Sequence, residues 1–425
     1  MQFVTRRALL GGALATVGAT SLPKALISAA AAADVADRAT PGASVADEAF
    51  WHAVADAYDL DGRHIVMNGG GNNPLPRTVV NALSRFQRMA ASQPRPHNYD
   101  QLAYRTDHRR RLAKVFGCDA DEVAITRNTT EGLNIVAWGL PLESGNEIVL
   151  SQYEDRYGGM IFSERAKRHG VVVRKVELPI APSVQEVLDA YAAAITPRTR
   201  LFVASHVVDS WGFVMPVREL AELAHANGAQ ILVDGALSIG HMPVNVGELQ
   251  SDYYATSLHK WLNAPLGTGA LFVRRDRLPD LPPLYGYDWP ADDIRKYEIV
   301  GTRDGASVAA IGPALDLYER IGPVRKLARL RYLLEDLMGR LEGVDGVDVI
   351  TEPDPDRRVG LARVSVNGFT GRELWHKLRD DEGIWTFGNS PGEYDGVYVS
   401  PNVFNTLSDM EYFADSIIRL ARRSG

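Results

Sequence analysis

Lys260 stands between His259 and Trp261, in a segment with few other charges, and the turn-rich run Asn263-Ala264-Pro265-Leu266-Gly267 follows it. A lone lysine is ordinarily a solvated surface residue, and this setting is not a surface one. An amine in apolar surroundings loses the hydration that favours its charged form. Its pKa falls, and it can attack a carbonyl or hold a Schiff base. Upstream, the apolar run Ile231-Leu232-Val233 ends in Asp234. A lysine that forms a Schiff base, with a carboxylate at the end of a strand ahead of it, is the pair that pyridoxal phosphate chemistry uses. The carboxylate then faces the pyridinium nitrogen of the cofactor.

An anion site is legible further upstream. Ile125-Thr126-Arg127-Asn128-Thr129-Thr130-Glu131 reads as a strand end, a polar turn and a helix start. Free backbone amides, hydroxyls and the helix dipole would together favour a phosphate there. Thr130 with Glu131 also reads as an ordinary helix cap. The run Asn68-Gly69-Gly70-Gly71-Asn72-Asn73-Pro74 marks a loop whose glycines let a ligand approach the backbone. It reads equally as a plain connection. Short valine-rich stretches at 171–177 and 200–206 alternate with helical patterns, as in an α/β domain with a mainly parallel sheet. From about Gly312 a long amphipathic stretch to Leu341, then Arg363-Val364-Ser365-Val366 and a helix from Gly371 to Arg379, reads as a smaller C-terminal domain.

Val233-Asp234-Gly235-Ala236, followed by Ser257-Leu258-His259-Lys260-Trp261, resembles the class V aminotransferase family of fold-type I pyridoxal phosphate enzymes, and within it the isopenicillin N epimerase-like branch. The resemblance runs through nearly all of the chain after the first thirty or so residues. It implies a large domain (66–311) around a mainly parallel seven-stranded sheet and a small C-terminal α+β domain (312–425), preceded by an arm (34–65). It implies pyridoxal 5'-phosphate linked to Lys260, with Asp234 at the ring nitrogen. Thr129, Thr130, Ser257 and His259 would lie at the phosphate, and His206 at the phenolic oxygen. A ring from Tyr153 or Tyr157 would stack on the cofactor, since the expected histidine is missing. Gly301-Thr302 resembles the turn that reaches the neighbouring subunit's phosphate, which makes a homodimer with shared sites the expected assembly. Where many members carry a carboxylate-binding arginine this chain has Tyr398, so either Arg303, Arg105 or Arg363 would take that part or the substrate presents no α-carboxylate there, with Asn68 also at the substrate.

The implied activity is epimerisation or transamination of an amino acid or amine, with a C-S lyase reaction by β-elimination as the alternative. A non-catalytic binding module on the same fold is the contrasting reading. The sole cysteine, Cys118, precedes the phosphate motif, which sets aside a desulfurase with a mobile nucleophilic cysteine in its C-terminal half. The net charge of −7 gives no reason to expect nucleic acid as a partner. At the N-terminus, Arg6-Arg7 precede an apolar stretch of small residues, and Ala31-Ala32-Ala33 offers a cleavage site. This reads as a twin-arginine export signal over residues 1–33, with a periplasmic or exported mature chain.

Overall fold

A computed structural model describes residues 45–93, 102–154, 158–286, 289–388 and 395–424. The export segment and Tyr157 lie outside the described residues. The strands in chain order are β1 (Ile65–Val66), β2 (Val123–Thr126), β3 (Glu147–Ser151), β4 (Val172–Val176), β5 (Thr199–Ser205), β6 (Gln230–Asp234) and β7 (Tyr253–Ser257). They continue with β8 (Gly269–Val273), β9 (Val347–Ile350), β10 (Ala362–Val366), β11 (Ile384–Trp385), β12 (Phe387–Gly388) and β13 (Val397–Val399).

Seven of these form one sheet in the order β2-β8-β7-β6-β5-β3-β4. β3 to β7 pair in parallel, and β8 runs antiparallel to both β7 and β2. Parallel strands need crossovers and are covered on both faces. β2, β3, β7 and β8 are buried at every residue, their few polar residues, Thr126, Glu147, Ser151, Thr256 and Ser257, included. One apolar core, including Val149, Phe202, Ile231 and Tyr254, lies on one side of the sheet. A second, with Ile148, Leu150, Leu201 and Leu232, lies on the other, because successive side chains alternate across a strand.

The second sheet is antiparallel, β12-β13-β10-β9. It packs with the helices Pro323–Leu341, Gly371–Glu382 and Leu407–Ser424 around a separate core of Leu333, Leu337, Val364, Leu374 and Phe413. Met67, from the other end of the chain, joins that core. Its neighbours Ile65 and Val66 pair in parallel with Ile384 and Trp385. The small unit is therefore built from both ends of the chain. The stretch expected to run unbroken from Gly312 to Leu341 is two helices, Ile311–Ile321 and Pro323–Leu341. Gly322 adopts a positive φ of 82° and Pro323 opens the next helix, so the backbone turns there.

Candidate active site

The C-terminal ends of the parallel strands converge on a cavity of about 450 Å³, within the range that holds a cofactor-sized ligand. β7 delivers Ser257 and, just beyond it, His259 and Lys260; β6 delivers Asp234; β5 delivers Ser205, followed by Val207, Asp209 and Ser210. Tyr153 and Glu154 follow β3, while Thr129 and Thr130 open the helix after β2. The opposite wall comes from Asn68 and the adjoining glycines, together with Arg363, Phe387 and Tyr398.

At one end the wall is a set of hydroxyls at a helix N-terminus. Thr129 donates its amide to Ser257 Oγ at 3.0 Å, and the two hydroxyls share a hydrogen bond of 2.8 Å. The Asn128 side chain caps the helix by accepting from the Glu131 amide at 2.9 Å. His259 Nδ1 lies 3.3 Å from the Thr268 carbonyl, and burial lowers the affinity of its ring for a proton.

Carboxylates gather around Lys260. Asp234 is buried, and burial pushes its pKa up against the opposing pull of the Ala236 amide, which donates to it at 2.9 Å, and of Lys260. Burial drives the Lys260 ammonium below the ordinary lysine range, while Asp234 and Asp209 act in the opposite sense. Glu154 accepts from the Ser205 amide at 2.7 Å and from its hydroxyl at 2.9 Å. Burial, with Asp234 nearby, pushes Glu154 up to about 8. Gly235, beside Asp234, packs so tightly on Tyr254 that a Cβ there would lie 2.0 Å from its ring.

The model of the family described as aminotransferase class-V matches residues 66–389. The chain belongs to the class V aminotransferase family. It is similar to an isopenicillin N epimerase of Streptomyces clavuligerus, 31% identical over 397 residues that span 86% of this chain and 98% of the relative. It is also similar to a probable cysteine desulfurase of Halobacterium salinarum, 34% identical over 77% of this chain and 81% of the relative. The fold matches that of the apo cysteine desulfurase of Thermococcus onnurineus NA1, with a TM-score of 0.76, 23% identity, and coverage of 87% of this chain and 98% of the other. These likenesses bear out the fold-type I expectation.

Pyridoxal 5'-phosphate is the cofactor that family membership supports, and the cavity fits it. Hydroxyls and a helix N-terminus suit a phosphate, a buried carboxylate suits a pyridinium nitrogen, and a desolvated amine sits on the same wall. The structure brings together Thr129, Thr130, Ser257, His259, Lys260, Asp234, Tyr153 and Asn68 on this one cavity. Tyr153 packs edge-on to Trp211 and donates its hydroxyl to Pro179 O at 2.9 Å.

Three of the expected residues lie off this cavity, as does Thr302, which was expected at the neighbouring subunit's phosphate. His206 does not line the cavity: Ser205 and Val207 do, and the side chain between them turns the other way, where Nδ1 meets Tyr254 Oη at 2.7 Å. Arg303 donates to the Ile125 carbonyl, and Arg105 to that of Glu298. The buried Glu298 carboxylate, which also pairs with Arg109 at 2.9 Å, draws the basic side chains to itself. Thr302 is exposed and off the cavity of its own chain. The arginine on the wall is Arg363, whose guanidinium donates to Ser210 O at 3.0 Å and Gly396 O at 3.2 Å. Its position on β10 pairs it with Tyr398 on β13, where the usual arginine is missing.

Glu154 and Asp209 escaped the sequence reading. Each lies a few residues beyond a strand end, and a search for carboxylates just after the apolar runs would have found both.

Proposed function

We propose that the chain is an enzyme that moves the Cα proton of an amino acid, as an epimerase or aminotransferase does, with Lys260 as covalent anchor and proton carrier. The observation that carries this reading is the placement of Lys260 and Asp234 on one cavity whose far end is a hydroxyl-lined helix N-terminus. The similarity to a relative named isopenicillin N epimerase supports it. When bound, the cofactor supplies a carbonyl for amines and an electron sink for a carbanion at Cα.

The chain's own groups do the rest. Thr129, Thr130, Ser257 and His259 hold the phosphate, and Asp234 keeps a proton on the ring nitrogen. Lys260 Nζ, lowered in pKa by burial, would take the Cα proton; epimerisation then needs a proton delivered to the opposite face of Cα, and transamination needs one delivered away from Cα. Arg363 receives the substrate carboxylate through its planar fork of donors. Asn68 and Tyr398 close the opposite side.

A desulfurase that passes sulfur to its own cysteine does not suit this chain. Cys118 is the only cysteine, it is absent from the cavity wall, and burial raises its thiol pKa so that it resists ionisation. The test is to incubate the cofactor-loaded protein with a panel of amino acids in deuterated water. Exchange at Cα with racemised or transaminated product supports the proposal. Release of ammonia and a 2-oxo acid without any acceptor would replace it with β-elimination. No exchange, with no spectral change on adding amine, would favour a non-catalytic binding module.

On this reading the site is completed in a homodimer by the partner's Thr302: Gly301-Thr302 resembles the turn by which the family reaches the neighbouring subunit's phosphate, and Thr302 is exposed. Thr302→Ala removes one hydrogen bond to a charged group, which lowers cofactor retention about ten-fold or somewhat more. Mixing it with Lys260→Ala chains should restore retention at the sites that keep Lys260. Retention that stays weak despite verified subunit exchange refutes sharing. Export through Arg6-Arg7 is likewise proposed: replacing both with lysine should leave the precursor in the cytoplasm, and normal accumulation outside it would count against that route.

A further inference from the structure

Both peptide carbonyls on the C-terminal side of the reactive lysine are gripped by side chains from far along the chain. The carbonyl of Lys260 accepts from Asn73 Nδ2 at 2.9 Å and from the amide of Asn263 at 3.1 Å. Asn73 is itself held, its Oδ1 accepting from Asn402 Nδ2 at 3.1 Å. The next carbonyl, that of Trp261, accepts from Nζ of Lys326, in the first turns of the helix Pro323–Leu341. Lys326 is 3% exposed, and its ammonium also lies 5.9 Å from the centre of the Tyr318 ring. Burial holds its pKa down to about 7, and an amine so deeply buried needs a hydrogen-bond acceptor such as the Trp261 carbonyl.

A third contact reaches the same turn. The His241 ring stacks on Trp261, with centroids 3.6 Å apart and planes 14° from parallel. The Gly360 amide lies 2.9 Å from His241 Nε2 and can only donate, so Nε2 is the acceptor. Nδ1 therefore carries the proton, and it donates to the Leu237 carbonyl at 2.9 Å. Burial keeps this imidazole neutral, and the nearby charges of Lys326 and Arg331 act in the same sense.

The turn needs such support. Asn263, three residues after Lys260, has a positive φ of 57°, a conformation that costs a side-chain-bearing residue energy. Its amide group also donates to Pro74 O at 3.1 Å.

We propose that Lys326 and Asn402 are positioning residues for Lys260, through which the C-terminal unit holds the reactive lysine of the large unit in place. Lys326 acts on the Trp261 carbonyl, and Asn402 acts through Asn73 on that of Lys260. The proposal rests on the reading of Lys260 as the covalent anchor.

The test follows the rate at which Lys260 in the cofactor-free protein is captured by added pyridoxal 5'-phosphate, with borohydride fixation and assignment by peptide mass. Lys326→Met keeps the apolar stem and removes the donor. It is expected to slow capture about ten-fold, and Asn402→Ala to act in the same direction. Leu337→Ala, a cavity in the core of the same helix, serves as the stability control. It should lower the melting temperature as much as Lys326→Met or more, yet leave capture within about two-fold of wild type. Should Lys326→Met not fold, Asn402→Ala decides alone. Capture in the variants that matches wild type, or that falls only as far as in the control, overturns the proposal. Wild-type protein that is never labelled at Lys260 overturns the covalent-anchor reading as well, and so the two failures are told apart.

Discussion

The two walls of the cavity are built on different principles. The floor comes from strand ends of one sheet: Thr129, Glu154 and Asp209 follow β2, β3 and β5 within a few residues, Asp234 ends β6, and Ser257 and Lys260 stand at the end of β7 and just beyond it. The opposite wall is assembled from segments that meet only in the finished fold: the loop from Asn68, Arg363 on β10, Phe387 on β12 and Tyr398 on β13. On the proposed reading the floor groups carry the chemistry, since strand ends of a parallel sheet fix side chains rigidly at one edge. The opposite wall would then be where substrates are told apart, since its residues can change without disturbing the sheet.

Substitutions can break this division, and the largest effect belongs to the floor. Lys260→Ala should abolish the borohydride-fixed cofactor entirely while the melting curve stays close to wild type. A fixed chromophore in that variant would move the anchor elsewhere. Asp234→Asn should lower turnover on the order of 100-fold while cofactor affinity changes less than about ten-fold, since the phosphate contacts remain and only the pyridinium partner is lost. Equal losses in binding and turnover would show that Asp234 serves mainly to hold the cofactor.

Glu154 tests the floor's electrostatics without any cofactor. Its folded pKa of about 8 lies above the ordinary 4.5, so between those values the folded protein binds the extra proton and the unfolded chain does not. Stability should therefore fall as pH rises from about 4.5 to 8. Glu154→Gln keeps the hydrogen bonds to Ser205 and removes the titration. At pH 8 it should be more stable than wild type by about 1–3 kcal/mol, with the gap closing near pH 5, as read from urea midpoints. A gap that does not depend on pH would mean that Glu154 stays ionised in the fold. The smallest change belongs to the opposite wall. Arg363→Lys keeps the charge and loses the fork, so KM for a carboxylate-bearing substrate should rise about ten-fold with little change in kcat. A fall in kcat instead would place Arg363 with the chemical groups.

Most of the floor was legible in the sequence, and the opposite wall only in part: Asn68 and Tyr398 were singled out, Arg363 only as one of three arginines, and Phe387 not at all. Apolar runs ending in Asp234 and Ser257 announce buried strands, and the polar turn at Asn128 announces a helix start. Each is a local pattern with a local cause. His206 shows the limit of that reasoning, because a strand end is readable while the face a side chain takes beyond it is decided by tertiary partners, here Tyr254. Arg303 and Arg105 show another limit. Buried Glu298 sets their direction, and nothing near them in the chain signals it. Arg363 needed the pairing of β10 with β13 before its place on the wall could be seen. On the N-terminal side, the sequence reading cut the arm from the large unit at residue 66, the same place where the structure sends the chain into the C-terminal unit.

That last pairing bears on how the protein is made. Gly70 donates its amide to Ser400 Oγ, 330 residues further on, and a Cβ at Gly70 would lie 1.8 Å from Tyr398 Oη. Ile65 and Val66 find their strand partner only at Ile384 and Trp385. During synthesis the first of these segments must wait for a partner some 330 residues further on, so the pocket cannot close until that later segment has left the ribosome. A chain stopped before β11 would retain the residues of the seven-stranded sheet but lack Phe387 and Tyr398 of the opposite wall and the partner that covers β1. Competence to bind substrate thus depends on a segment made long after the one it must meet.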